Sequence, residues 1–239
     1  MSQPEPNWET ILLPLRRNRM PAEGQVDLWV VDLEELPLQA GPTGLTRKEN
    51  IQKKRIQQQF VLRLLLGSYL GKPGKAIRIE RSPSGKPSVS DSNLEFNLSH
   101  SGSWLAIAVT TGHPIGLDIE TNRPMRRPSE LARRYFRTDE ADAIEGLEEP
   151  ERSRQFLIQW TAREALVKAA DATLAESLAH LKLTIDPARI LSLPPNWPEP
   201  DQWCLTNPTT PFDLIVHCAT PAPIHQINGF FLQHQPPHP

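Results

Sequence analysis

Asp118 and Glu120 stand in Gly116-Leu117-Asp118-Ile119-Glu120, alternating with apolar Leu117 and Ile119. On a strand that alternation turns both carboxylates to one face and sends the apolar pair into the core. Like charges at roughly 4 Å repel by about 4 kcal/mol at an effective dielectric of 20, so a cation or a shifted pKa is expected there. A second stretch, Trp160-Thr161-Ala162-Arg163-Glu164-Ala165-Leu166-Val167-Lys168, can supply what is missing. Trp160, Glu164 and Lys168 recur at i, i+4 and i+8, which aligns them on one face of a helix.

The elements that must position these groups are legible from pattern. Val26–Asp32 alternates as a half-buried strand, after an irregular Pro-rich arm over residues 1–24 and before a Pro/Gly-rich turn through Gly44. Thr46 stands three residues before Glu49, the spacing of a capping box, and predicts a helix to about Leu70 closed by Gly71. Ile56, Phe60 and Leu64 share one face of it. Ala76–Glu80 reads as a short strand, and Ser82-Pro83-Ser84-Gly85-Lys86-Pro87 as a turn in which Pro87 holds Lys86 extended and projecting outward. Phe96–His100, Trp104–Thr110 and Ile115–Glu120, joined by tight turns, predict a three-stranded antiparallel meander.

Beyond it, helices are expected from Ser129, from Thr138 as a cap, and from Pro150 to about Ala170. The seven acids from Asp139 to Glu151 read as exposed, mutually screened charge. Leu181–Ile185, Trp203–Thr206, Phe212–Thr220 and Ile227–Gln233 are strand candidates between proline turns, and Gln235–Pro239 a frayed end.

Composition bounds the class. The chain has 239 residues, 38% hydrophobic and 23% charged, enough for one domain or two small ones with a buried core. No run approaches the roughly 18 apolar residues of a membrane span, and no signal-peptide pattern opens the chain, so a cytoplasmic location is the default expectation. Cys204 and Cys218 form neither a disulfide framework nor a zinc motif. The net charge of −2 hides a basic segment: residues 45–86 carry eleven Lys or Arg against Glu49 and Glu80, a balance of +9 that suits a polyanion.

Each motif taken singly fits an ordinary structural role. Their ordered combination does not: Gly85-Lys86-Pro87, Phe96-Asn97-Leu98-Ser99-His100-Ser101, Gly116–Glu120 and Trp160–Lys168 together resemble the surfactin-type 4′-phosphopantetheinyl transferases. The resemblance implies an α+β fold, a pseudo-dimer of two similar halves (1–120 and 121–239), each a long helix packed on a small, mainly antiparallel sheet. It implies a monomer with holo-acyl-carrier-protein synthase activity. The 4′-phosphopantetheine of coenzyme A would pass to a serine of an apo carrier protein, with release of adenosine 3′,5′-bisphosphate.

By the same resemblance Asp118, Glu120 and Glu164 hold magnesium, a hard cation that takes oxygen ligands and bridges to phosphate. Lys86, Ser99 and His100 grip the phosphates of coenzyme A. Lys168 lies at the pyrophosphate, and Glu164 is the candidate base. Two positions depart from the family: Arg163 replaces a common lysine and cannot be deprotonated, and Gln59 replaces an arginine one turn before Arg63. Which of Lys53, Lys54, Arg55 and Arg63 meets the nucleotide stays open. A nucleic-acid-binding module using the +9 segment is the competing class, against which stand three acids beside the anion site and the lack of interleaved exposed aromatics. A catalytically silent scaffold of the same fold is the third.

Overall fold

A computed structural model describes residues 4–36, 46–185 and 188–234. The Pro/Gly-rich turn through Gly44, from residue 37 on, and the tail from Gln235 lie outside them. The chain opens with β1 (Asn7–Leu12) and β2 (Gln25–Asp32), then a long helix α1 (Arg47–Leu70). The hairpin β3 (Ile79–Arg81) and β4 (Pro87–Val89) leads to β5 (Leu94–Ser101), β6 (Trp104–Thr111) and β7 (Gly116–Thr121). Three helices follow, α2 (Pro128–Tyr135), α3 (Thr138–Glu145) and α4 (Glu151–Ala169), with a single turn α5 (Leu174–Ser177). The chain ends in β8 (Lys182–Ile185), β9 (Ala188–Ser192), β10 (Cys204–Thr206), β11 (Leu214–Thr220) and β12 (Gln226–Gln233). This is the expected α+β class.

The strands form a five-stranded sheet, β1-β12-β2-β6-β5, and a three-stranded sheet, β10-β11-β7, with β3-β4 and β8-β9 as separate pairs. Period-2 alternation sends β2 side chains both ways. Trp29 and Val31 pack with Leu62, Leu65, Leu66 and Tyr69 of α1, while Val26, Leu28 and Val30 pack with Leu117 and Ile119 of β7 and Val216 and Cys218 of β11. On the far side of the small sheet, Ala219 meets Ala162, Ala165 and Leu166 of α4. Helix, sheet, sheet and helix are thus stacked in four layers, each Leu, Ile or Val in the seams contributing about 1.5–3 kcal/mol.

α1 starts and stops where its sequence dictates. The Thr46 hydroxyl accepts the Glu49 amide at 3.3 Å while the Glu49 carboxylate accepts the Thr46 amide at 2.7 Å, and Gly71 ends the helix in the left-handed region. Its inner face differs from the expected one. Ile56 and Phe60 are 59% and 44% exposed, and Gln57, Val61, Leu62, Leu65 and Leu66 face the sheet. The amide of Gln57 donates to the Leu33 carbonyl at 3.0 Å, which lets a polar residue take that place.

Other expectations are corrected. The N-terminal arm is not wholly irregular, because residues 7–12 form β1, parallel to β12, with Trp8 over Gly229. A strand from the end of the chain therefore lies between β1 and β2. Residues 74–76 are a 3-10 turn, so the strand is confined to Ile79–Arg81. Arg137, not Thr138, takes the cap position of α3, its amide donating to Glu140.

The expected meander ends at β6. β7 pairs with β11, His217 standing opposite Asp118, and no backbone ladder joins it to β6. Beside β7 runs β5, bridged by side chains in place of a ladder: Asn97 Oδ1 accepts the Leu117 amide at 3.0 Å and Ser101 Oγ the Thr121 amide at 3.1 Å.

Candidate functional site

The alternation in β7 does what it predicts. Leu117 and Ile119 enter the core between the sheets, and Asp118 faces α4. That helix approaches closely because residue 116 is glycine: a Cβ there would overlap the Ala165 carbonyl oxygen and the Ala169 amide. Lys168, on the same turn of α4, thereby places its ammonium 2.6 Å from Asp118 Oδ1 and 3.2 Å from Glu164 Oε2. Ser99 of β5 adds a hydrogen bond, its hydroxyl donating to Asp118 Oδ1 at 2.6 Å.

Burial raises the Asp118 pKa to about 6, the Lys168 charge works against that rise, and Glu164 adds to it. For Lys168 burial acts downward, but Asp118 and Glu164 outweigh it and the net shift is upward. The two acids of β7 do not share one counter-ion. Glu120 Oε2 accepts the Ser101 hydroxyl at 2.5 Å and Arg123 Nη1 at 2.6 Å. The predicted repulsion is answered by one cation for each carboxylate.

A cleft of about 690 Å³ opens above this pair. Arg55, Arg81, Lys86, His100 and Lys168 line it, together with Gln58, Gln59 and Asp171, so positive charge predominates and an anionic ligand is favoured. Lys86 and His100 therefore face one cavity with Lys168. The Lys86 ammonium donates to the Ala169 carbonyl at 3.2 Å, and burial lowers its pKa against the opposing pull of Glu95 and Asp171. Ser99 is buried beneath the cleft with its hydroxyl on Asp118.

The cations left open above separate. Arg55 lines the cleft, Lys54 donates to the Gly102 carbonyl at 3.1 Å, and Arg63 donates to the Ile77 carbonyl at 2.6 Å. Arg81 likewise holds the Gly85 carbonyl at 2.7 Å. Four cations of the +9 segment, Lys54, Arg63, Arg81 and Lys86, thus brace backbone carbonyls.

Arg163 points away from the site. It is fully buried, its Nη2 lies 2.6 Å from Glu140 Oε2, and its guanidinium sits 4.3 Å from the centre of the Phe136 ring. The departure at 163 therefore serves the packing of α4 against α2 and α3. Glu140, 8% exposed, is the exception to the exposed acid run.

The donor chemistry at this junction fits a hard divalent cation. Asp118, Glu120 and Glu164 each commit one oxygen to the partners named, and the second oxygen of each carries no protein hydrogen bond among the described residues. Among the described residues no three His, Cys, Asp or Glu side chains already converge on a single point, and the cation between Asp118 and Glu164 is Lys168. Among them also no helix is long and apolar enough to cross a membrane.

Sequence reasoning did not find Arg81, Gln58 or Asp171. The first two carry no local signal. Asp171 stands just past the end of α4, where only its backbone conformation, φ 54°, marks it.

Two family models match consecutive parts of the chain. Residues 47–112 match the 4′-phosphopantetheinyl transferase N-terminal model, and residues 114–208 the 4′-phosphopantetheinyl transferase superfamily. Among curated proteins the chain is similar to the 4′-phosphopantetheinyl transferase HetI of Nostoc sp., 29% identical over 201 residues, which is 76% of this chain and 84% of that protein. It is 30% identical over 111 residues to the 4′-phosphopantetheinyl transferase gsp of Aneurinibacillus migulanus, 46% of this chain and 45% of the relative. To the 4′-phosphopantetheinyl transferase Sfp of Bacillus subtilis it is 33% identical over 93 residues, 38% and 40% of the two chains. The matched stretches thus span less than half the length of the last two relatives.

Proposed function

The chain belongs to the 4′-phosphopantetheinyl transferase superfamily, and from that premise we propose that it transfers phosphopantetheine from coenzyme A to a serine of an apo carrier protein, in the manner of the surfactin type. The observation that carries this reading is the Lys168 ammonium bridging Asp118 and Glu164 on the floor of a cationic cleft. The cleft offers Arg55, Arg81 and Lys86 against Asp171, with Lys168 shared between Asp118 and Glu164 at its floor, a cationic lining suited to a phosphate-bearing ligand.

In the proposed reaction the serine oxygen bonds to the β-phosphorus of coenzyme A as the bond from that phosphorus to the bridging oxygen breaks. Adenosine 3′,5′-bisphosphate leaves with the bond's electron pair. In this proposal Glu164, one of whose oxygens contacts Lys168, takes the serine proton. Lys168 neutralises charge as it builds on the bridging oxygen, and its raised pKa keeps it cationic for that role. Lys86, Arg55 and His100 hold the remaining phosphate of the nucleotide.

Asp118, Glu120 and Glu164 would hold magnesium, which when bound adds positive charge at the phosphates. The Lys168 ammonium touches two of these carboxylates, so it and the cation would compete for their charge.

The test is chemical. Protein, coenzyme A, magnesium and an apo carrier protein are combined, and free coenzyme A and adenosine 3′,5′-bisphosphate are followed by chromatography. Stoichiometric exchange of one for the other, dependent on the carrier, is expected. Unchanged coenzyme A with a panel of carrier proteins removes the reading.

A further inference from the structure

The turn that carries Lys86 is braced by hydrogen bonds within itself. Within it Ser82 N donates to the Lys86 carbonyl at 3.0 Å, Gly85 N to the Ser82 carbonyl at 2.9 Å, and Lys86 N to Ser82 Oγ at 3.1 Å. The flanking strands β3 and β4, three residues each, form a two-stranded sheet and join no larger one. Such a short hairpin has little stability of its own; Ile79 and Val89 seat its strands on the core, and the placement of its tip depends on what the tip is fastened to.

Asp171 supplies the fastening. It follows α4, whose last turn bears Lys168, and its Oδ1 accepts hydrogen bonds from the hydroxyls of Ser82, at 2.8 Å, and Ser84. The other described side-chain bond from this turn to the end of α4 is Lys86 Nζ to the Ala169 carbonyl. Two features of Asp171 would otherwise count against it. It adds negative charge to a cleft built for an anion, and it sits at φ 54°, in the left-handed region that glycine adopts freely and that Asp tolerates better than most side chains.

We infer that Asp171 is a positioning residue: it latches the β3–β4 turn to the end of α4 and so holds Lys86 beside Lys168 across the cleft. This rests on the reading of the cleft as the coenzyme A site. Ser82 and Ser84 are the matching half of the latch.

Asp171→Gly removes the latch while suiting the backbone, and Asp171→Asn removes the charge while keeping the acceptor oxygen. Coenzyme A binding is measured by calorimetry, alongside KM and kcat for transfer and the thermal midpoint. Asp171→Gly is expected to weaken coenzyme A binding about tenfold, the scale of one charge-assisted hydrogen bond, with kcat within about twofold and no fall in the midpoint. Asp171→Asn is expected to bind at least as well as the wild-type protein. The double variant Ser82→Ala/Ser84→Ala, which empties the other half of the latch, is expected to match Asp171→Gly.

Wild-type affinity in Asp171→Gly, or an Asp171→Asn as weak as Asp171→Gly, overturns the inference. Wild-type protein that binds no coenzyme A overturns both the latch and the reading of the cleft. Wild-type protein that binds it but modifies no carrier overturns the proposed function alone, since the latch is still judged by binding.

Discussion

Gly116→Ala tests whether the packing of β7 on α4 sets the site. A methyl group on Gly116 would lie 3.0 Å from the Ala165 carbonyl carbon and closer still to that carbonyl's oxygen and the Ala169 amide nitrogen. All three are backbone atoms inside a helix, so no side chain can swing aside, and the strand must retreat by roughly 1 Å. Overpacking of this kind costs about 1–3 kcal/mol. The same retreat would take the 2.6 Å bond between Lys168 and Asp118 beyond hydrogen-bonding range. Misplacement by about 1 Å can lower a catalysed rate about 100-fold. Urea denaturation should therefore show a loss of about 2 kcal/mol, and kcat for transfer should fall about 100-fold while coenzyme A affinity, which depends more on Lys86 and Arg55, changes less. Stability within about 0.5 kcal/mol of wild type together with kcat within about twofold would refute the claim that this contact places the pair.

Removing the Glu140 charge as Glu140→Gln leaves Arg163 buried without its counter-ion; a loss of about 3–5 kcal/mol in urea denaturation is expected. Lys168→Met vacates the space between Asp118 and Glu164, so manganese binding followed by electron paramagnetic resonance should tighten while transfer falls at least about 100-fold. Looser binding would show that the ammonium and the metal do not compete. His217, fully buried with Nδ1 2.8 Å from Thr161 Oγ1, has its pKa pushed down to about 3 by burial, from an ordinary 6.5. The unfolded chain then binds the extra proton, so this contribution is complete above about pH 6.5 and is lost as pH falls toward 3, about 2 kcal/mol of it by pH 5. His217→Gln should flatten the fall in stability between pH 7 and 5 by that amount, and an unchanged slope would show His217 is not held neutral.

The readable parts of this fold are those fixed within a few residues. The Thr46–Glu49 box, the Gly71 stop, the alternation of Leu117, Asp118, Ile119 and Glu120, and the Glu164–Lys168 pairing all involve neighbours in sequence. What pattern could not supply depends on distant partners. β7 takes β11 as its neighbour, nearly a hundred residues on, so a turn that looks like a hairpin joins two sheets. Gln57 is buried against a hydrophobicity rule because its amide meets the Leu33 carbonyl, while Ile56 and Phe60 lie exposed, contrary to expectation. Arg163 immediately precedes the site-facing Glu164 in sequence, yet the helix turns it toward Glu140. Within the site, Asp118, Glu164 and Lys168 were legible as a cluster, whereas the separate counter-ion of Glu120 and the role of Asp171 depend on Arg123 and the β3–β4 turn meeting them in space.

The central claim is that this cluster moves phosphopantetheine onto a carrier serine, and the intact mass of the carrier protein after incubation with coenzyme A and magnesium tests it most directly. The wild-type protein should add one phosphopantetheine mass to an apo carrier and none to a carrier whose acceptor serine is alanine, and Asp118→Asn should add none in the same time. A carrier left at its apo mass by the wild-type protein, or modified equally fast by Asp118→Asn, would contradict it.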